Sequence, residues 1–374
     1  MKCQDLAVFI ILFLAPLSIH CQEVDFRESS RFIFGTHKER SASISMGDID
    51  NDGDIDAVVA NGRHWPGQNR VFINNGRGVF TISRLLGNQL ETSYATELAD
   101  LDNDGDLDIA VGNDMAPNAL FLNDANGKFE PAGSFGDDYA PTRNITISDL
   151  NLDGYLDILI TNRGRENEIC INNGKGQFTK SIGFGSKNDS TIDVGVADMD
   201  NDGDPDLVLA NRDDQQNFVY LNDGAMGFNE KVPYGTGKDN TRSIKISDID
   251  QDGILDIITA NIGEPNIIYF GDHNLSFKRN ITFDTTLSRS YAIAVGDLNL
   301  DGYDDIAIGN SNQENKLFLS LDKGNRWQMI PLSDKEFNTY DILISDLNGD
   351  GRPDIIESNS DEVNRYFINR KTNE

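Results

Sequence analysis

Nine residues, DIDNDGDID at positions 48–56, set oxygen-bearing side chains at alternating positions around a glycine, and the pattern returns from Asp100, Asp149, Asp198, Asp248, Asp297 and Asp346. Position one is Asp48 and those six residues. Position three is Asp50, Asp102, Asn151, Asp200, Asp250, Asn299 and Asn348, and position five is Asp52, Asp104, Asp153, Asp202, Asp252, Asp301 and Asp350. Position nine is Asp56, Asp108, Asp157, Asp206, Asp256, Asp305 and Asp354. Side-chain oxygens at this spacing converge on a hard cation once the chain bends sharply, which a glycine at position six permits. Position seven varies freely through Asp54, Asp106, Tyr155, Asp204, Ile254, Tyr303 and Arg352, as expected of a ligand supplied by the backbone carbonyl.

Calcium is the expected ion, at up to seven structural sites. Magnesium demands a stricter octahedron and gives up its water reluctantly, and no His or Cys accompanies the loops to attract zinc. An EF-hand begins in the same way but needs a bidentate Glu at its twelfth position. That place holds Val59, Val111, Ile160, Leu209, Thr259, Ile308 and Glu357, inside β-branched runs where a helix should be. Solvated acidic turns would explain one copy but not seven in fixed register.

The elements that must position these loops follow from the period of about 50 residues, which overrides the two or three domains that 374 residues would suggest. In the second copy, YATELAD, IAVGN, ALFLND and KFEPAGSF read as four short strands, A to D, with the acidic loop joining A to B. Four antiparallel strands per repeat predict an all-β, seven-bladed β-propeller over residues 22–374. Strand B is apolar on both faces (AVVA, ILIT, LVLA), as suits a sheet packed between two others. The last copy stops without a strand D, so residues 31–34, within RFIFG, are expected to complete blade seven and fasten the two ends together.

The motifs DxDxDGxxD and DxNxDGxxD within such units, with FG dipeptides at Phe34, Phe135 and Phe184, resemble FG-GAP-like (VCBS) repeats and, more distantly, the propeller of integrin α subunits. The resemblance runs from Phe32 to about Asn369. It implies calcium ligation by the loop residues named above. The GAP half of the name is absent and integrins carry fewer such loops, so no adhesive role follows from it.

Residues 1–21 carry one Lys and then an apolar run too short to span a bilayer, which reads as a secretory signal cleaved near Cys21. The expected location is secreted or extracytoplasmic, with no transmembrane segment, and the expected state is a monomer. Past the leader one cysteine remains, Cys170 in EICIN, read as a buried thiol. Bound ions would then do the stabilising work of disulfides. At a free ion concentration about twentyfold above Kd, each site adds about 2 kcal/mol. The formal charge of −30 argues against nucleic acid as a partner.

Function is expected on the face opposite the acidic loops, where the B-to-C and D-to-A links lie. Each B-to-C link begins and ends with Asn, as in Asn61 and Asn69 or Asn359 and Asn364, and each strand A begins with Ser or Thr; both read as architecture. One residue further, the series Ala42, Tyr94, Arg143, Ile192, Arg242, Tyr291 and Tyr340 should ring the mouth of the central channel. Tyr continuing an apolar stripe is the plain alternative, but Arg143 and Arg242 do not belong in one. Arg with Tyr at a concave mouth suits an anionic sugar or an acidic side chain. The longest link adds Arg63, His64 and Trp65, where Trp can stack on a sugar and His can hydrogen-bond it or act as a base. Two function classes result. One is a non-catalytic binding module for a glycan or an extracellular protein. The alternative is a polysaccharide lyase in which Tyr and His take a proton beside a uronate carboxylate.

Overall fold

The computed structural model describes residues 24–371, and among the described residues there is no helix. The expected leader at residues 1–21 and residues 372–374 lie outside the described residues. Among the described residues no helix is long and apolar enough to cross a membrane.

In the second blade, Ser93–Ala99, Asp108–Asn113, Asn118–Leu122 and Glu130–Phe135 pair antiparallel in chain order, the four strands expected. Three more four-stranded sheets follow, with inner strands Thr142–Ser148, Thr191–Ala197 and Thr241–Ser247. The remaining three blades share one sheet because their strands run on from one role to the next. Asp305–Leu321 supplies two strands of blade six, and Arg326–Ser345 is the outer strand of six and the inner strand of seven. Asp354–Arg370 supplies two strands of seven, and Ile33–Gly47 is the outer strand of seven and the inner strand of one.

Blade seven is completed by the N-terminal segment. Ile33 and Phe34 pair with Arg365 and Asn364, so the expected strand is present but starts two residues later than residue 31. A second short strand, Asp25–Arg27, pairs with residues 368–370 and was not foreseen, since DFR carries no strand periodicity. Each inner strand packs against the next, and the seventh packs against the first.

Burial explains the sequence pattern. Every residue of the B strands Asp56–Asn61, Asp108–Asn113, Asp157–Asn162, Asp206–Asn211 and Asp256–Asn261 is buried, because each sheet is covered on both faces. The apolar residue at loop position two (Ile49, Leu101, Leu150, Met199, Ile249, Leu298, Leu347) is at most 2 % exposed and anchors each acidic loop in the core. Cys170 is buried as expected.

The recurring Asn and Ser/Thr prove to be the fastening between blades. Ser93 Oγ–H donates to Asn113 Oδ1 at 2.8 Å, and the Asn113 backbone N–H donates to Asn118 Oδ1 at 2.8 Å. The Asn closing a link then donates to the hydroxyl that starts the next blade: Asn69 to Ser93, Asn167 to Thr191, Asn217 to Thr241, Asn266 to Ser290 and Asn315 to Thr339. Asn364 donates to Ser41, which carries the relay from the last blade to the first. Only Asn118 departs, donating instead to the Phe135 carbonyl of its own blade.

Candidate metal loops and the channel mouth

The acidic loops are built alike. In the first, the position-one carboxylate accepts the backbone N–H groups of Asp52 and Gly53, and Asp52 accepts that of Asp54. Gly53 sits at φ 91°, a conformation L-residues rarely adopt, and this turns the chain back over the carboxylates. In the four all-Asp loops, carboxylate oxygens of positions one, three and nine lie within 4.8 Å of one another: Asp48, Asp50 and Asp56; Asp100, Asp102 and Asp108; Asp198, Asp200 and Asp206; Asp248, Asp250 and Asp256. Position five stands outside these trios. One oxygen each of Asp50, Asp102 and Asp250 is buried with no hydrogen-bond partner. Burial, then the neighbouring carboxylates, raise the pKa of Asp50 and Asp102. Three carboxylates crowded together, with orphaned oxygens and only oxygen donors, fit a hard divalent cation.

Position nine does more than the sequence suggests. In all seven loops its carboxylate is buried and accepts two backbone N–H bonds, one from loop position two and one from the end of strand C. For Asp56 these come from Ile49 at 3.1 Å and Asn74 at 2.7 Å; for Asp305, from Leu298 at 3.0 Å and Ser320 at 2.8 Å. Burial still raises Asp56 to about 6 and Asp305 to about 7, despite these donors. The ninth Asp is thus a joint between loop and sheet as well as a candidate ligand.

At the other end of the channel, the inner strands share one irregularity. Each pairing with strand B skips a residue, and the skipped residues are Ala42, Tyr94, Arg143, Ile192, Arg242, Tyr291 and Tyr340. A β-bulge leaves its extra residue unpaired and re-aims the side chain. Here six of the seven, all but Ala42, line a cavity of about 400 Å³ with Arg63, His64 and Trp65. It continues into a second cavity of about 410 Å³ that reaches Ser345 near the loops. The expected ring therefore exists, brought together with the residues of the longest link.

Its members are not equivalent. Arg143 Nη1 is 2.7 Å from Asp114 Oδ1, so its charge is already met, and its guanidinium lies 4.5 Å from the Tyr94 ring centroid. The other Asp114 oxygen is 2.7 Å from His64 Nδ1, and His64 Nε2 is 2.8 Å from the Tyr94 hydroxyl. Asp114, His64 and Tyr94 thus form a chain in which Tyr94 can donate to His64 and His64 to Asp114. Burial raises the Tyr94 pKa, with the Arg143 charge opposing. Tyr291 takes a hydrogen bond from Arg289 at 2.8 Å and meets Tyr340 edge-on at 5.0 Å. Trp65 is 64 % exposed on the rim, with the Arg40 guanidinium 5.5 Å from its ring.

Sequence reasoning missed Arg40, Arg163, Arg212 and Asp361 of the same lining, and Asp114 behind it. Deeper in the channel it also missed Asp193, Asp341, Glu97 and Lys245. Asp193 accepts from Asn144 at 2.7 Å and from Ser243 and the Ile244 backbone at 3.0 Å, tying three blades together. Burial raises Glu97 to about 8, with the Lys245 charge opposing. Charged residues inside inner strands were the available signal.

The family profile described as FG-GAP-like repeat matches residues 48–111, 100–160, 149–209, 198–259, 248–308 and 297–357. No curated protein matches the chain. Among solved structures, BBS1N in complex with ARL6DN is similar at TM-score 0.61 and 10 % identity, covering 91 % of this chain and 95 % of that one. Chaetomium thermophilum Raptor is similar at TM-score 0.62 and 14 % identity, covering 95 % of this chain and 29 % of that one. An Agrocybe aegerita lectin, solved for its recognition of non-reducing terminal N-acetylglucosamine, is similar at TM-score 0.56 and 19 % identity, covering 80 % and 81 %. At these identities the likeness is one of fold.

Proposed function

The chain belongs to the FG-GAP-like repeat family, and from that premise we propose that it is a secreted, monomeric propeller whose loops bind calcium and whose channel mouth binds a glycan or an extracellular protein. The observation that carries this reading is the ring of bulges, which aims unpaired side chains from six of the seven blades into one cavity opposite the loops. Solved relatives in fold include one in complex with a protein and one that recognises a sugar, which supports either class of ligand. Calcium is favoured by the all-oxygen donor set, and it would relieve the repulsion within each trio.

The test is a glycan array and an extracellular-protein panel run with the native protein and with the Trp65→Ala, Tyr340→Ala double variant, which strips two rings from the lining of the mouth. Ligand retained by the native protein and lost in the variant supports the mouth as the site. Equal retention by both sinks it.

The Asp114, His64 and Tyr94 chain favours one second reading, a lyase acting on uronate polymers. His64, held by Asp114, would accept the Tyr94 proton, the phenolate would take the proton beside the carboxylate, and the C4–O glycosidic bond would break to leave the double bond, its oxygen taking the proton held on His64. Tyr94 is the candidate rather than Tyr291, whose hydroxyl is bonded to Arg289. New ultraviolet absorbance from unsaturated product, abolished in Tyr94→Phe, would establish the enzyme; its absence leaves the binding module.

A further inference from the structure

Resting on the reading that the channel mouth is the binding site, we propose that its ligand is an acidic glycan, a carboxylated or sulfated sugar chain whose oxyanion is taken by Arg242. The protein carries a formal charge of −30, yet the lining of the mouth holds Arg40, Arg63, Arg143, Arg163, Arg212 and Arg242 against a single carboxylate, Asp361. Such a reversal of sign within a strongly acidic molecule draws an anion to that place and repels it elsewhere.

Five of these arginines have a carboxylate partner. Arg40 and Arg63 share Asp361, Arg163 and Arg212 share Asp213, and Arg143 has Asp114. Three carboxylates serve five guanidinium groups, so the rim stays positive. Arg242 makes no ion pair or hydrogen bond with any described residue; its contact is with the Tyr291 ring, 5.8 Å from the guanidinium carbon. Two acidic side chains act on it electrostatically and neither pairs with it directly: Asp193 accepts from Asn144, Ser243 and the backbone of Val194 and Ile244, and Asp341 accepts from the backbone of Ile44 and Ile342. Desolvation lowers the Arg242 pKa, with the Asp193 charge opposing. Lys245, three residues further along the same strand and lining the deeper cavity, makes no ion pair with any described residue, its charge acting at longer range on Glu97 and Asp341. A planar guanidinium left unpaired at a concave site is suited to bidentate capture of a carboxylate or sulfate.

A sugar fits better than an acidic peptide. The wall beside Arg242 holds Tyr94 and Tyr291, both buried, and Tyr340, faced by the Arg63 guanidinium at 4.1 Å, so the ring on which a pyranose can stack is Trp65 on the rim, 64 % exposed. A peptide captured by strand addition needs a free sheet edge. The inner strands do leave one edge unpaired toward the channel, where each packs against the next inner strand, so the polyglutamate control tests a bound peptide directly.

Binding is measured by calorimetry in calcium buffer with polygalacturonate as the carboxylate probe, dextran sulfate as the sulfate probe, dextran as the neutral control and polyglutamate as the peptide control. At least one of the two acidic glycans should bind, dextran should not, and the bound probe identifies the oxyanion. Arg242→Gln should weaken binding by about tenfold or more. Arg326→Gln, the same charge change at the opposite end of the molecule, should leave it within about twofold, both variants keeping the native melting temperature. The proposal is overturned by equal binding of dextran, by undiminished binding in Arg242→Gln, by binding of polyglutamate alone, or by no binding of either acidic glycan. If an acidic glycan binds the Trp65→Ala, Tyr340→Ala double variant as tightly as the native protein, the mouth itself is not the site. A neutral glycan bound by the native protein and lost in that double variant keeps the mouth and removes the acidic ligand.

Discussion

Asn364 Nδ2–H donates to Ser41 Oγ at 2.9 Å, joining residues 323 positions apart and carrying the hydrogen-bond relay from the last blade to the first. Both side chains are buried, so removing either leaves an unpaired polar group. Asn364→Ala is expected to cost about 1–3 kcal/mol in urea unfolding, and the Ser41→Ala, Asn364→Ala double variant to cost less than the sum of the singles. Strict additivity would show that the seam is not held by this bond.

Position nine and position five of a loop should behave differently when no ion is present. In chelator-treated protein, Asp305→Ala removes the acceptor for the Leu298 and Ser320 backbone N–H groups and should cost about 3 kcal/mol, whereas Asp301→Ala, which accepts the Tyr303 N–H at the surface of the loop, should cost about 1 kcal/mol or less. Equal losses in guanidinium unfolding would mean that the ninth Asp is only a ligand.

The loops should also divide into two affinity classes. Those starting at Asp48, Asp100, Asp198 and Asp248 bring a carboxylate at position three, and those starting at Asp149, Asp297 and Asp346 bring the amide of Asn151, Asn299 or Asn348. Affinity rises with ligand charge, so calorimetric titration with calcium should resolve a tighter set and a weaker one, and Asn151→Asp should move one site between them. A single uniform class before and after that change would contradict the assignment of position three as a ligand.

Much of this was legible in the sequence because repetition makes weak signals add. One apolar residue at loop position two means little, but Ile49, Leu101, Leu150, Met199, Ile249, Leu298 and Leu347 in register forecast the buried anchor that each becomes. The closing strand could be read because Phe34 falls where Phe135 and Phe184 fall in their blades. The contact of His64 with Asp114 could not be read, since the two come from links of neighbouring blades and meet only once the ring is drawn. Nor could the status of the arginines: Arg143 and Arg242 are twins by position in the repeat, and only Asp114 beside one of them makes the other the free cation. Glu97 and Lys245 carried only a faint signal, a charge inside an inner strand, and line the channel only once the ring is closed.

Glu97 makes stability depend on pH. Its carboxyl titrates at about 8 in the fold against 4.5 for the ordinary group, burial being the main cause, with Lys245 opposing and Asp341 and Asp193 adding to the rise. Below about pH 4 both folded and unfolded chains hold the proton. As pH rises from 4.5 to about 8, the unfolded chain releases a proton that the folded one keeps, so stability falls through that window and levels off above it. Glu97→Gln should remove this group's share of the slope, to which the raised Asp56 and Asp305 also contribute, and exceed the native protein in stability at pH 8 relative to pH 4. That share is at most about 1.4 kcal/mol per pH unit, and the partial exposure of Glu97 reduces it. Parallel pH profiles for the two proteins would contradict this assignment.

The most direct measurement is the metal content of chelator-stripped protein after dialysis against about 2 mM calcium, read by atomic emission together with the melting temperature before and after. Close to seven calcium ions per chain and a melting temperature raised by at least about 10 °C are expected. A chain that takes up no calcium and melts at the same temperature with and without the chelator would contradict the assignment of the seven loops as the ions' sites.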